Sequence, residues 1–125
     1  MLPAPGQGAL AIEAREDDVE IAKLLVPLED HSARLSSSTE REILHALGGG
    51  CQLPLGTFVR SDGDKYLIDA CIAYPNGEGM IKRHLHSSEN ELLYNAKMIA
   101  GDFLTSGGKE LIASLTGVQE SGKKN

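Results

Sequence analysis

Two cysteines and four histidines are the side chains of this sequence best suited to nucleophilic or ligand chemistry. Cys51 has the most unusual setting. It follows Gly48-Gly49-Gly50 and precedes Gln52-Leu53-Pro54. Glycine frees the backbone from side-chain sterics, and a thiol is the best ordinary nucleophile near neutral pH. Two readings stay open on local features. One is a helix C-cap followed by a buried small residue, which the usual burial of free cysteine favours. The other is a thiol presented to something large, because three consecutive glycines exceed what a cap needs. A cysteine hydrolase pairing Cys51 with His31 or His45 lacks a triad signature. His84 and His86 share one face of a strand but have no Cys, Asp or Glu placed by sequence to complete a metal site. Asp17, Asp18, Glu29 and Asp30 read as helix ends, not as an acid/base pair. Cys71 lies inside a strand and reads as core.

The elements that must hold Cys51 can be read on both sides of it. Ala9–Ala14 is a short apolar run of strand length. Asp17, with Glu20 at the capping-box position, begins a helix carrying Val19, Ala22, Leu25 and Val26, and Pro27 stops it. A second helix spans Asp30–Leu47, with Leu35, Thr39, Ile43, Ala46 and Leu47 on one face. Ser36-Ser37-Ser38 are poor interior residues. The helix therefore either starts at Ser37, with Glu40 completing a capping box, or runs through the serines at a cost. Gly48–Gly50 end it.

Three strands follow: Leu55–Arg60, Tyr66–Tyr74 and Met80–His86, joined by the turn signals Ser61–Asp64 and Pro75–Gly79. Tyr66, Ile68, Ala70, Ile72 and Tyr74 alternate with Leu67, Asp69, Cys71 and Ala73. Ser88 caps a long helix with the stripe Leu92, Leu93, Ala96, Ile99, Ala100, Phe103 and Leu104. Lys109–Leu115 is a short last helix ended by Gly117, with a disordered tail over Gln119–Asn125. The expected fold is α+β: a three-stranded antiparallel meander with helices on one face, in the order α-β-β-β-α-α, preceded by an orphan β-α segment. Asp69 and Arg83 are expected on the wetter sheet face.

At 125 residues, with 41% apolar and 4% aromatic content and no Trp, the core must be mainly Leu, Ile, Val and Ala. A net charge of −6 argues against a nucleic-acid partner, which would require a basic face. Neither a disulfide scaffold nor a membrane span is suggested. The expectation is a cytoplasmic monomer. The opening Leu2-Pro3-Ala4-Pro5-Gly6 reads as a hinge or linker, and with the orphan β-α unit it suggests a piece of something longer.

Leu2-Pro3-Ala4-Pro5-Gly6-Gln7-Gly8-Ala9-Leu10-Ala11-Ile12-Glu13-Ala14-Arg15 closely resembles a signature of the porphobilinogen deaminases, or hydroxymethylbilane synthases. So does Thr39-Glu40-Arg41 with Leu47–Gly56, in matching order and spacing, and Gly107-Gly108-Lys109-Glu110-Leu111 is similar to the start of that family's last helix. The resemblance implies a three-domain transferase of tetrapyrrole (heme) biosynthesis. Such an enzyme joins four porphobilinogens head to tail, with loss of ammonia, into hydroxymethylbilane. The pyrrole chain grows on a dipyrromethane cofactor held by a thioether to a domain 3 cysteine.

Cys51 occupies that cysteine's position. Gln7 and Gly8 match the hinge strand lining the cleft and are candidates for contacting the cofactor's pyrroles. Residues 1–26 would be a remnant of the catalytic domains (9–26 in domain 1), and 27–125 the cofactor-carrying domain 3. The family's catalytic aspartate and carboxylate-binding arginines belong to its N-terminal domains. No catalytic residue is therefore expected here, and the chain alone is expected to be inactive, without dipyrromethane and with Cys51 a free thiol. The two rival readings are a non-catalytic interaction module derived from this domain and an unrelated thiol enzyme.

Overall fold

The structure is a computed structural model that describes residues 1–50, 52–74 and 76–121, with side chains to Leu115. Its helices are α1 (Val19–Leu25), α2 (His31–Ala46), α3 (Leu92–Phe103) and α4 (Lys109–Ser121). Its strands are β1 (Leu55–Asp62), β2 (Lys65–Ala73) and β3 (Met80–Ser87). The sheet order is β1-β2-β3, antiparallel throughout. The expected α+β meander is therefore present, and α2 packs against both α3 and β1.

Local chemistry accounts for most element ends. The Asp30 carboxylate accepts the Ala33 N–H at 2.8 Å and caps α2. The helix runs through Ser36–Ser38 instead of starting among them. The Ser37 and Thr39 hydroxyls donate back to the Arg34 and Leu35 carbonyls, so they do not compete for the helix N–H groups. Between β1 and β2, Gly63 has a φ of +65°. A glycine at the first turn position matches a two-residue type II′ hairpin.

Alternation along β2 settles where the core lies. Tyr66, Ile68, Ala70 and Ile72 are buried, as are Ile43 and Leu47 of the α2 side and Leu92, Ala96, Ile99, Ala100 and Phe103 of α3. Leu111 of α4 joins them. The apolar stripe read from the sequence is thus the core, except that Leu93 is exposed and Leu104 is only partly buried against it. At twelve helical residues, α3 turns only part of its circumference inward.

Several expectations are corrected. Residues 9–14 form no strand, and Leu10 and Ile12 are exposed; no neighbouring strand supplies the pairing a strand needs. The cap of α1 is Asp18, not Asp17: its carboxylate accepts the Ile21 N–H. Ser88 precedes a 3-10 turn at Glu89–Glu91, and its hydroxyl donates to the Glu91 carboxylate instead of capping a backbone N–H. The last helix continues through Gly117 to Ser121, so residues 119–121 are helical. Arg83 lies on the helix side of the sheet, because the register pairs it with buried Ala70. There its guanidinium reaches Asp102 and Ser106 and sits 5.8 Å from the Phe103 ring centroid. Asp69 is on the opposite face, where it was expected.

Candidate functional site

The glycine loop is three glycines with three different reasons. Gly48 has φ +65°, and its N–H donates to the His45 carbonyl. The Gly49 N–H donates to the Leu44 carbonyl. These two bonds form a Schellman motif, which requires a left-handed residue after the helix. At Gly49 a Cβ would lie 2.6 Å from Leu53 Cδ2 and 3.0 Å from Leu44 Cδ1, so packing excludes a side chain. At Gly50 a Cβ would meet nothing within 4 Å, and φ is not positive. The first two glycines therefore belong to the helix end, as the capping reading held. The third opens space next to position 51.

Cys51 itself lies outside the described residues. Around it, the Leu53 N–H donates to the Gly50 carbonyl at 3.1 Å, which holds the two sides of the loop together. An open groove of about 470 Å³ lies on one side, lined by Ser38, Arg41, Glu42, Leu44, His45 and Gly49. A hollow of about 90 Å³ lies against Gly48–Gly50, Gln52, Leu53, Ile112 and Leu115. Arg41 has no carboxylate partner among the described residues.

The second candidate segment, Pro5–Gly8, is a double turn and not a strand. The Gln7 N–H donates to the Ala4 carbonyl, with Pro5 and Gly6 (φ +72°) between them. Proline followed by a positive-φ glycine is the type II signature. The Ala9 N–H then donates to Gly6 across Gly8, whose φ is +85°. Gln7 is exposed, and its side-chain oxygen accepts the Ala4 N–H at 3.1 Å. Gly8 has open space where a side chain would be.

The sequence reading missed the residue that joins this segment to the domain. Glu40 is only 6% exposed. Its Oε2 accepts the Gly6 N–H at 2.7 Å and its Oε1 accepts the Val59 N–H at 2.8 Å. The Pro3 carbonyl accepts the neighbouring outward N–H of β1, from Thr57, at 2.8 Å. A signal was available, since Glu40 lies three and seven residues before the buried Ile43 and Leu47, on the inward stripe.

The remaining candidates are structural. His31 stands at the first turn of α2, roughly 22 Å by helical rise from the loop at its other end, and its Nε2 pairs with Glu89. His45 is exposed beside Glu42. His84 and His86 share the open sheet face, edge to face at 6.0 Å between centroids. His84 Nδ1 hydrogen-bonds Asp69 Oδ1, and Arg60 Nη1 donates to Asp69 Oδ2 at 2.7 Å. Burial alone would raise the Asp69 carboxyl, but the hydrogen bonds and charge interactions from His84 and Arg60 outweigh it and hold it below the usual carboxylate range. Cys71 is half-buried on that face beside Gly56. Among the described residues no cluster of three ligand-type side chains could hold a metal, and no helix is long and apolar enough to cross a membrane.

Fold and loop together define an α+β domain built around one cysteine-bearing loop at a helix C-terminus. Residues 35–97, which include that loop, match the family described as "Porphobilinogen deaminase, C-terminal domain". The chain belongs to this family. Among its relatives is the porphobilinogen deaminase of Roseiflexus sp. (strain RS-1), 36% identical over 113 residues, which are 90% of this chain and 37% of that protein. The enzyme of that name from Campylobacter concisus (strain 13826) is 39% identical over 90% of this chain and 36% of its own. That from Oceanobacillus iheyensis is 37% identical over 89% of this chain and 35% of its own. The chain thus spans little more than a third of these relatives' length.

Proposed function

We propose that this chain is the cofactor-carrying part of a porphobilinogen deaminase, and that Cys51 is the attachment point for its dipyrromethane. The observation that carries the reading is the family match across residues 35–97, because that range includes the Cys51 loop together with most of α2, the sheet and the start of α3. The surroundings fit the group. Gly50 has open space where a side chain would be, and the nearby groove carries Arg41, which has no carboxylate partner among the described residues and is suited to an anionic pyrrole substituent. Bound there, a dipyrromethane would supply the pyrrole carbon on which the chain is extended. Cys51 would hold it by a thioether, which resists hydrolysis where an ester would not. Gln7, whose side chain is exposed, and Gly8, with no side chain to obstruct approach, would line its path.

In this reading residues 1–26 pack with the catalytic domains and 27–125 form the carrier domain. The exposed apolar residues of 10–26 support that division, although Pro3 and Gly6 dock on the carrier domain. Porphobilinogen, the growing pyrrole chain and the N-terminal domains would be its partners, in a monomeric cytoplasmic enzyme. The catalytic carboxylate and the anion-binding arginines would come from the N-terminal domains, so residues 1–125 alone are inactive and leave Cys51 a free thiol. Purified residues 1–125 should consume no porphobilinogen, and the mass of the Cys51 peptide should be that of the bare thiol. Turnover by this chain would overturn the division of labour. A dipyrromethane on Cys71 instead of Cys51, in the complete enzyme, would overturn the assignment.

The exposed apolar run also suits the alternative, a non-catalytic interaction module. Restoration of turnover when catalytic domains are supplied separates the two: a carrier domain restores it, an interaction module does not.

A further inference from the structure

We propose that Glu40 is a positioning residue, a latch that seats the Pro5–Gly8 double turn against the edge of the carrier sheet. The proposal rests on the reading above only in naming what is positioned: Gln7 and Gly8 relative to the Cys51 loop.

The geometry is that of a bridge between two backbones. One carboxylate oxygen takes the Gly6 N–H at 2.7 Å and the other takes the Val59 N–H at 2.8 Å. These residues are 34 and 19 positions from Glu40 in sequence. Val59 and Thr57 lie two apart on the edge strand β1, so their N–H groups point the same way, out of the sheet. An edge strand with open N–H groups is a liability that proteins cover. Here Glu40 covers one, and the Pro3 carbonyl covers the other. Both oxygens of a buried carboxylate are thus committed to N–H donors, in the charge-assisted bonds that are strongest. The Arg41 stem lies close by, 3.9 Å from where a Cβ on Gly6 would be. The same α2 helix ends in the Gly48–Gly50 loop, so one rigid rod carries the latch and, eight residues further on, the Gly48 N–H that makes the loop's first bond.

Residue-resolved amide hydrogen exchange on the 125-residue chain tests this, with Ile68 as the core reference. In the wild type, Gly6 and Val59 should be protected. In Glu40→Ala, both should exchange roughly ten- to a hundredfold faster relative to Ile68. Glu40→Gln keeps the shape but only one acceptor oxygen, so at least one of the two amides should lose protection while the fold persists. This second variant decides if the alanine variant does not fold. Wild-type Gly6 exchanging like a free amide would overturn the latch. So would a Gln variant in which the Gly6:Ile68 and Val59:Ile68 ratios are unchanged, since that is merely global destabilisation or no effect. Cys51→Ser should leave the Gly6 ratio unchanged, so the latch and the cofactor assignment can fail independently.

Discussion

Helices α1 and α3 carry similar apolar side chains and meet opposite fates. In α3, Leu92, Ala96, Ile99 and Phe103 are at most 2% exposed. In and just after α1, Val19, Leu24 and Val26 are 60%, 70% and 71% exposed, and no α1 residue is buried. Both helices sit on one chain with well-formed hydrogen bonds, so propensity does not separate them. The difference is a facing surface. α3 lies over a sheet whose inner side is Ile68, Ala70 and Ile72, while α1 and the segment 9–14 face no sheet among the described residues. An apolar pattern states which face of an element seeks burial, but the rest of the molecule supplies the partner.

This contrast can be broken by substitution. Phe103→Ala should have the largest effect, about 3–5 kcal/mol of lost stability in urea denaturation, because it empties a fully buried site. Leu24→Ala should stay within about 0.5 kcal/mol, since its side chain is mostly in water. A loss near that of Phe103→Ala would mean that α1 has a partner within these 125 residues.

The glycine loop gives a graded comparison. Gly49→Ala should cost about 1–3 kcal/mol, because Leu44 and Leu53 must yield to the new methyl. Gly48→Ala should cost about 1 kcal/mol, for its positive φ. Gly50→Ala should cost under about 0.5 kcal/mol of stability. If the loop serves attachment, Gly50→Ala would instead show its effect in cofactor loading.

The open sheet face should respond to acid. Asp69 is held below its unfolded value in the folded state, so its contribution is present above the ordinary carboxylate range and is lost as pH falls through the depressed folded value. Asp69→Asn should therefore flatten that acid limb of the stability profile, by no more than about 1 kcal/mol for so accessible a cluster. The smallest effect is expected from Thr57→Val. The Thr57 hydroxyl is buried without a hydrogen-bond partner among the described residues, so a shape-matched methyl should be neutral or slightly stabilising.

What could be read from the sequence follows from the range of each interaction. The meander was legible because tight turns and period-two alternation are local, and α2 was legible from its stripe. The Schellman end was visible in the glycines. Glu40 was not read as a latch, because its partners Gly6 and Val59 become neighbours only once the chain has folded. Arg83 was misplaced because its charge suggested the wetter face, although period two aligns it with Ile81 and Leu85, which pack on the core, and the register against Ala70 agrees. Residues 9–14 look like a strand and are not one, because strandness depends on a neighbour. For Cys51, local features allowed two readings. The resemblance implies presentation, while Gly48 and Gly49 retain the capping role that the local reading gave them.

The most direct test of the central claim is peptide-level mass spectrometry on the domain joined to catalytic domains of a porphobilinogen deaminase relative and given porphobilinogen. The account predicts a dipyrromethane on the peptide containing Cys51, none on that containing Cys71, and loss of both adduct and turnover in Cys51→Ala. An active enzyme whose Cys51 peptide carries no adduct would contradict it.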